Sequence, residues 1–116
     1  MKKIYYLKTC DTCKRILKSI PLDGFILQDI KSNPIKLKEI EQMKELAGNY
    51  ESLFSRRAKK YKAMDLKNQT LSEIDYKQLI LNEYTFLKRP VILINGRIFI
   101  GNSEKNVSLL SQMLNS

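Results

Sequence analysis

The sequence predicts an α/β fold on a mixed sheet, its elements running β-α-β, then a helical stretch of about fifty residues, then β-β-α. Three observations carry this. The apolar runs Ile4-Tyr5-Tyr6-Leu7 and Phe25-Ile26-Leu27-Gln28-Asp29-Ile30 flank a segment of helical period, which makes a βαβ unit. Between residues 35 and 87 the apolar residues keep a helical spacing. Near the end, Asn95-Gly96 separates Pro90-Val91-Ile92-Leu93-Ile94 from Arg97-Ile98-Phe99-Ile100, and Asn-Gly accepts the positive φ angles of a two-residue hairpin turn.

Each element follows from local chemistry. Cys13, Ile16, Leu17 and Ile20 recur at i, i+3, i+4 and i+7, an amphipathic stripe that Pro21-Leu22-Asp23-Gly24 interrupts. Ser32-Asn33-Pro34 marks the next helix start. Leu37, Ile40, Met43, Leu46 and Ala47 supply that helix with a stripe over about 35–47, ended by Gly48-Asn49. The segment from Tyr50 to Met64 holds the densest positive charge, Arg56, Arg57, Lys59, Lys60 and Lys62, on one or two short helices. Thr70-Leu71-Ser72-Glu73 has capping-box spacing ahead of Ile74, Leu79, Ile80 and Tyr84. Gly101 ends the hairpin, and Asn102 or Ser103 caps a last helix whose Val107, Leu110 and Leu114 cover the sheet. With no repeat, low-complexity segment or linker, the expectation is a single domain over 1–116 with a helical insertion at about 35–87.

The chemistry-bearing feature is Cys10-Asp11-Thr12-Cys13, which holds both cysteines of the chain. The pair straddles a helix start, where unpaired N–H groups and the helix dipole favour an anion. Lys8, Lys14 and Arg15 add positive charge and Asp11 opposes it, so Cys10 is expected to have a lowered pKa and to attack. Cys13, on the buried stripe, is the expected resolving thiol. A structural zinc site needs about four N or S ligands, and this chain has 2 Cys and no His, so no metal is expected. Haem attachment is excluded because Lys14 follows the second cysteine. A structural disulfide over so short a loop would constrain the unfolded chain little. Two ordinary buried cysteines remain the alternative to redox chemistry.

The formal charge of +9 would attract an acidic partner or small anions. Most of it is lysine, and no organised nucleic-acid motif accompanies it, so direct nucleic-acid binding is not expected. No apolar run approaches the ~18 residues of a membrane span. Lys2-Lys3 precede too short an apolar run for a signal peptide, so a cytoplasmic protein is expected, where a Cys-x-x-Cys pair is catalytic or redox-sensing rather than permanently oxidised.

A Cys-x-x-Cys opening the first helix of a βαβ unit marks a thioredoxin-like redox motif. Beyond that, four segments in order resemble one branch, the arsenate reductase and Spx regulator (ArsC/Spx) family. They are Lys8-Thr9-Cys10-Asp11-Thr12-Cys13-Lys14-Arg15, Ser55-Arg56-Arg57 to Tyr61, Lys88-Arg89-Pro90 before a strand, and Ile100-Gly101 after the hairpin. The resemblance implies a thioredoxin-type sheet with a helical insertion, and a cis proline at Pro90 beside the cysteine loop. It implies that Cys10 is the nucleophile and that Arg57 and Arg89 bind the anion, with Thr12 and Lys14 at the helix start beside them. The substrate would be a small oxyanion or a disulfide. Glutathione, glutaredoxin or thioredoxin would donate electrons, with no cofactor bound. The Spx branch implies instead a redox-sensing regulator that binds the RNA polymerase alpha subunit without turnover. This chain departs from the arsenate-reducing pattern in having Lys14 four residues after the nucleophile, where that pattern has arginine, and Gly101 or Asn102 where a third arginine follows the hairpin.

Overall fold

The computed structural model describes residues 1–115. The chain divides into two compact units, Met1–Asn33 together with the segment from Arg89 onward, and Pro34–Lys88. The architecture is mixed α/β, as expected.

The first unit is built on a four-stranded sheet in the order β2-β1-β3-β4. Its strands are β1 (Lys2–Tyr6), β2 (Ile26–Asp29), β3 (Val91–Ile94) and β4 (Arg97–Ile100). β1 and β2 are parallel and connected through the helix α1 (Asp11–Lys18), the crossover that a parallel pair requires. β3 runs antiparallel to β1 and pairs with β4 through the turn at Asn95 and Gly96. Their φ angles of 46° and 85° are the positive pair a type I′ turn needs.

Side-chain alternation sorts the sheet into faces. Ile4 lies opposite Ile92, and Ile92 opposite Phe99, so the three form a row across the sheet. That row joins Ile20, Ile94 and Leu110 in one buried cluster, with Leu17, Met113 and Leu114 packed against it. The last helix, which closes this face, is Glu104–Leu114, and its N-cap is Ser103, whose Oγ accepts from the Asn106 N–H at 3.1 Å. Leu27 occupies the same row on the edge strand β2 and stays 43% exposed.

In the second unit three α-helices, Leu37–Ala47 (α2), Lys59–Ala63 (α3) and Glu73–Asn82 (α4), alternate with short 3-10 turns; the last helix of the chain is therefore α5. Its core centres on Phe54, whose ring lies 5.0 Å from Tyr76, 5.1 Å from Phe86 and 6.1 Å from Tyr61. Backbone bonds from Ser55 N to Phe86 O and from Lys88 N to Leu53 O bring the two ends of this segment together, at 2.7 and 2.8 Å.

Helix starts in this unit differ from the sequence reading. α2 begins at Leu37 rather than near Ile35, with the Glu39 carboxylate accepting from the Lys36 N–H at 2.9 Å. The capping box of α4 is Ser72 with Asp75, not Thr70 with Glu73. The Glu73 carboxylate instead accepts the Tyr50 and Glu51 N–H groups at 2.7 and 3.1 Å, tying the loop after α2 to the head of α4. Ile74, assigned to the apolar stripe by periodicity, is 71% exposed.

Candidate functional site

Sheet topology gathers the site. Because β1 and β2 are parallel and β3 is antiparallel to both, one end of the sheet receives the ends of β1, β2 and β4 and the start of β3. Leu7 to Cys10 leaves β1 there, and Arg89-Pro90 enters β3 there. Two residues so distant in the chain become neighbours only through this register.

The cysteine loop is tied down on both sides. The Cys10 N–H donates to Leu7 O at 3.0 Å, and the Ile30 N–H to Tyr6 O at 3.0 Å, which carries the β1–β2 pairing past the strand ends. The Asp29 carboxylate accepts the Lys8 N–H at 3.2 Å and the Ser32 hydroxyl at 2.9 Å, and these donors hold its pKa down against a desolvation cost. Asp29 is a site-supporting residue that sequence reading passed over; only its place at the end of β2 could have pointed to it.

Cys10 is the N-cap of α1, with extended backbone (φ −91°, ψ 111°), and its carbonyl accepts the Lys14 N–H at 3.0 Å. Its sulfur is partly exposed and Cys13 is fully buried; both are free thiols. The two pKa values move in opposite directions. Burial opposes the Cys10 anion, but the Cys13 amide, the Cys13 thiol, the Arg89 guanidinium and the Thr12 amide together outweigh it, and the pKa falls below 9.0. The sulfur makes no side-chain cap hydrogen bond of strict geometry, so the amides act as aligned dipoles at the helix start rather than as short bonds. The Cys13 thiol is pushed up to about 11, by burial first, helped by the neighbouring Cys10 and opposed by the Leu7 amide and Arg89.

Among the leading influences on Cys10 the one side-chain cation is Arg89. Lys8, Lys14 and Arg15, the sequence's candidates for that charge, are exposed. The Arg89–Pro90 peptide bond is cis. Its surroundings are knitted to the end of β4: the Gly101 N–H donates to Pro90 O at 2.8 Å, the Asn102 amide to Arg89 O at 3.5 Å, and the Asn106 amide to Gly101 O at 2.9 Å. Gly101, at φ +83°, supplies a conformation that other residues rarely adopt.

Of the candidate residues, Cys10, Thr12, Cys13, Lys14, Arg89 and Pro90 therefore belong to the first unit, and Arg57 belongs to the second. Arg57 is exposed, just ahead of α3, and among the described residues no hydrogen bond or ion pair holds its guanidinium. Its neighbour Arg56 is committed to structure, donating to Glu51 at 3.0 Å and to the Tyr76 hydroxyl at 3.1 Å. No group of His, Cys, Asp and Glu among the described residues could hold a metal ion.

Residues 5–109 match the family model described as the ArsC family. The chain belongs to the ArsC family. A curated Haemophilus influenzae protein of uncharacterised role is 28% identical over 109 residues, 90% of this chain and 94% of its own length. Among solved structures, a Staphylococcus aureus protein determined by solution NMR is 29% identical, with a TM-score of 0.74, covering 94% of this chain and 97% of its own. A Vibrio cholerae arsenate reductase, 18% identical with a TM-score of 0.73, covers 95% of both chains and shares the fold. These ArsC-family folds are thioredoxin-like. The match also places this chain among reductase-like proteins that use thiol donors and oxyanion substrates in general.

Proposed function

We propose that this ArsC-family chain is a thiol-dependent reductase in which the Cys10 thiolate attacks an oxyanion or a disulfide. The observation that carries the reading is Cys10 itself: a partly exposed thiol at the head of α1, its pKa lowered by helix amides, the Cys13 thiol and Arg89. A thiolate is the reactive species in both reactions.

With an oxyanion such as arsenate, Cys10 sulfur bonds to the central atom with loss of water. An external thiolate then attacks that sulfur, the sulfur–arsenic bond breaks with its electron pair on arsenic, and arsenite leaves. A second thiol cleaves the mixed disulfide and returns Cys10. Arg89 holds the anion in this scheme, since a guanidinium fork fits tetrahedral oxygens, with Lys14 and the Thr12 amide at the same helix start. Glutathione, glutaredoxin or thioredoxin supplies the two electrons, in a reducing cytoplasm. Cys13 as the resolving thiol is the other route. No helix among the described residues is long and apolar enough to cross a membrane. Neither the family match nor the solved structures support an RNA polymerase partner.

The test is NADPH oxidation coupled to arsenate or a small disulfide, with glutathione plus glutaredoxin in one series and thioredoxin in another. Turnover with one donor, abolished in Cys10→Ser, is expected. Turnover that survives Cys10→Ser sinks the assignment.

A further inference from the structure

Cys10 hangs from a turn that packing does not hold. Leu7 is buried where β1 ends, but Lys8 and Thr9, the two residues that lead on to Cys10, are both exposed. The turn closes on itself through the Cys10 N–H and Leu7 O at 3.0 Å, an i to i+3 bond. Such a bond fixes the shape of the turn and leaves open where the turn sits.

Placing it falls to Asp29. β1 and β2 are parallel with Tyr6 opposite Asp29, and from there the Asp29 side chain reaches two residues along the first strand's path, where Oδ1 accepts the Lys8 N–H at 3.2 Å. The second oxygen, Oδ2, accepts the Ser32 hydroxyl at 2.9 Å, and the Asp29 carbonyl accepts the Asn33 N–H, also at 2.9 Å. One carboxylate thus serves two donors on two oxygens, a division an amide cannot copy, since it has one acceptor oxygen and one donor nitrogen. Ser32 braces the carboxylate, and its charge strengthens the bond to the Lys8 N–H.

Where the turn sits decides where Cys10 sits. Cys10 is both the last residue of the turn and the N-cap of α1, its carbonyl accepting the Lys14 N–H at 3.0 Å. Its sulfur gains from the helix start only while that relation holds, because the pull of the helix dipole falls off within a turn.

We infer that Asp29 is a positioning residue: bonded to the Lys8 N–H, it holds the turn that presents the Cys10 sulfur at the head of α1. The inference rests on Cys10 being the nucleophile, as proposed above. Asp29 acts through Lys8 and takes no part in bond making. Its negative charge alone would disfavour a nearby thiolate. Charge and position therefore pull the reactivity of Cys10 in opposite directions, and one series of variants tells them apart.

The readout is alkylation of Cys10 by iodoacetamide across pH, with the labelled peptide mapped by mass spectrometry and urea unfolding measured beside it. Asp29→Ala loses the bond and the charge together; labelling at pH 7 is expected to slow severalfold, the midpoint of the pH–rate profile moving up. Asp29→Asn loses the charge but keeps an acceptor oxygen for the Lys8 N–H, and is expected to match or exceed the wild-type rate. Lys8→Pro removes the N–H at a turn position that accepts proline, and in that background Asp29→Ala is expected to change the rate no further. Should Asp29→Ala fail to fold, Lys8→Pro against Lys8→Ala carries the test, since both lose the same cation and only the first loses the N–H; equal rates there overturn the inference.

Unchanged or faster labelling in Asp29→Ala also overturns it, as does an Asp29→Asn rate as slow as that of Asp29→Ala. A merely structural part would lower the urea midpoint and leave the pH profile where it is. Label found on Cys13, or turnover that survives Cys10→Ser, is a separate failure: it ends the assignment of Cys10, whereas a flat Asp29 series leaves that assignment standing.

Discussion

Alkaline pH should destabilise this protein through Cys13, by an amount the burial of its thiol sets. The folded state holds the proton up to about 11, whereas the ordinary thiol releases it at 9.0. Between those values the unfolded chain has lost a proton that the folded chain keeps, so stability falls with each increment of pH. The contribution is complete below pH 9 and gone above pH 11. At 1.36 kcal/mol per pH unit, the interval is worth about 2–3 kcal/mol, a large share of the roughly 5–15 kcal/mol typical of small domains.

Urea unfolding at half-unit steps from pH 8 to pH 11, for the wild type and Cys13→Ala in parallel, would measure it. Tyr76, whose pKa burial also raises, destabilises both proteins equally, and above pH 9 Cys10 is ionised in folded and unfolded chains alike, so the difference curve between pH 9 and pH 11 isolates Cys13. Losing the side chain adds an offset that does not vary with pH. The wild-type advantage should shrink by about 2–3 kcal/mol across the interval. A flat difference curve would refute the claim that a protonated, desolvated thiol sits at this position.

Three further outcomes follow from the same geometry. Arg89→Gln removes the side-chain cation acting on Cys10, so its pKa should rise and iodoacetamide labelling at pH 7 should slow severalfold; an unaltered pH–rate profile would show that the helix start alone holds the thiolate. Phe54→Ala empties a fully buried site ringed by three aromatic neighbours, and should cost about 3–5 kcal/mol in denaturant unfolding. Ser72→Ala deletes the cap of α4 and should cost about 1 kcal/mol, whereas Thr70→Ala, outside the cap, should leave the unfolding midpoint unchanged.

Ser72 and Thr70 show where reading the sequence succeeds and where it stops. Spacing announced a cap before α4 but could not choose between two hydroxyls two residues apart, because the choice depends on which carboxylate is free to reach back. Asp75 is free; Glu73 is engaged by Tyr50 and Glu51, a loop contact with no local signature. Ile74 fails for a related reason: periodicity assigns a residue to a stripe, and packing decides whether anything covers it. The hairpin needed no such help, since Asn95-Gly96 carries its own φ requirement. The cysteine pair was equally plain, with Cys13 on the buried stripe of α1 and Cys10 at its head.

The source of the charge on Cys10 was the least legible part of the site, and register explains why. Tyr5 pairs with Val91 and Val91 with Ile100, so the residues just beyond, Arg89-Pro90 and Gly101, come to the end of the sheet where the Cys10 loop emerges. Local sequence around Cys10 points to Lys8, Lys14 and Arg15, whose side chains spread into solvent, where charge is heavily screened. Arg89 contributes because the ladder fixes it, and one residue of slip would turn the whole of β3 over, moving Val91 and Leu93 onto the face that Ile92 and Ile94 now fill. The apolar alternation that buries Ile4, Ile92 and Phe99 in one row therefore also sets the thiolate chemistry. Weakening that row should shift the reactivity of Cys10 before it unfolds the chain.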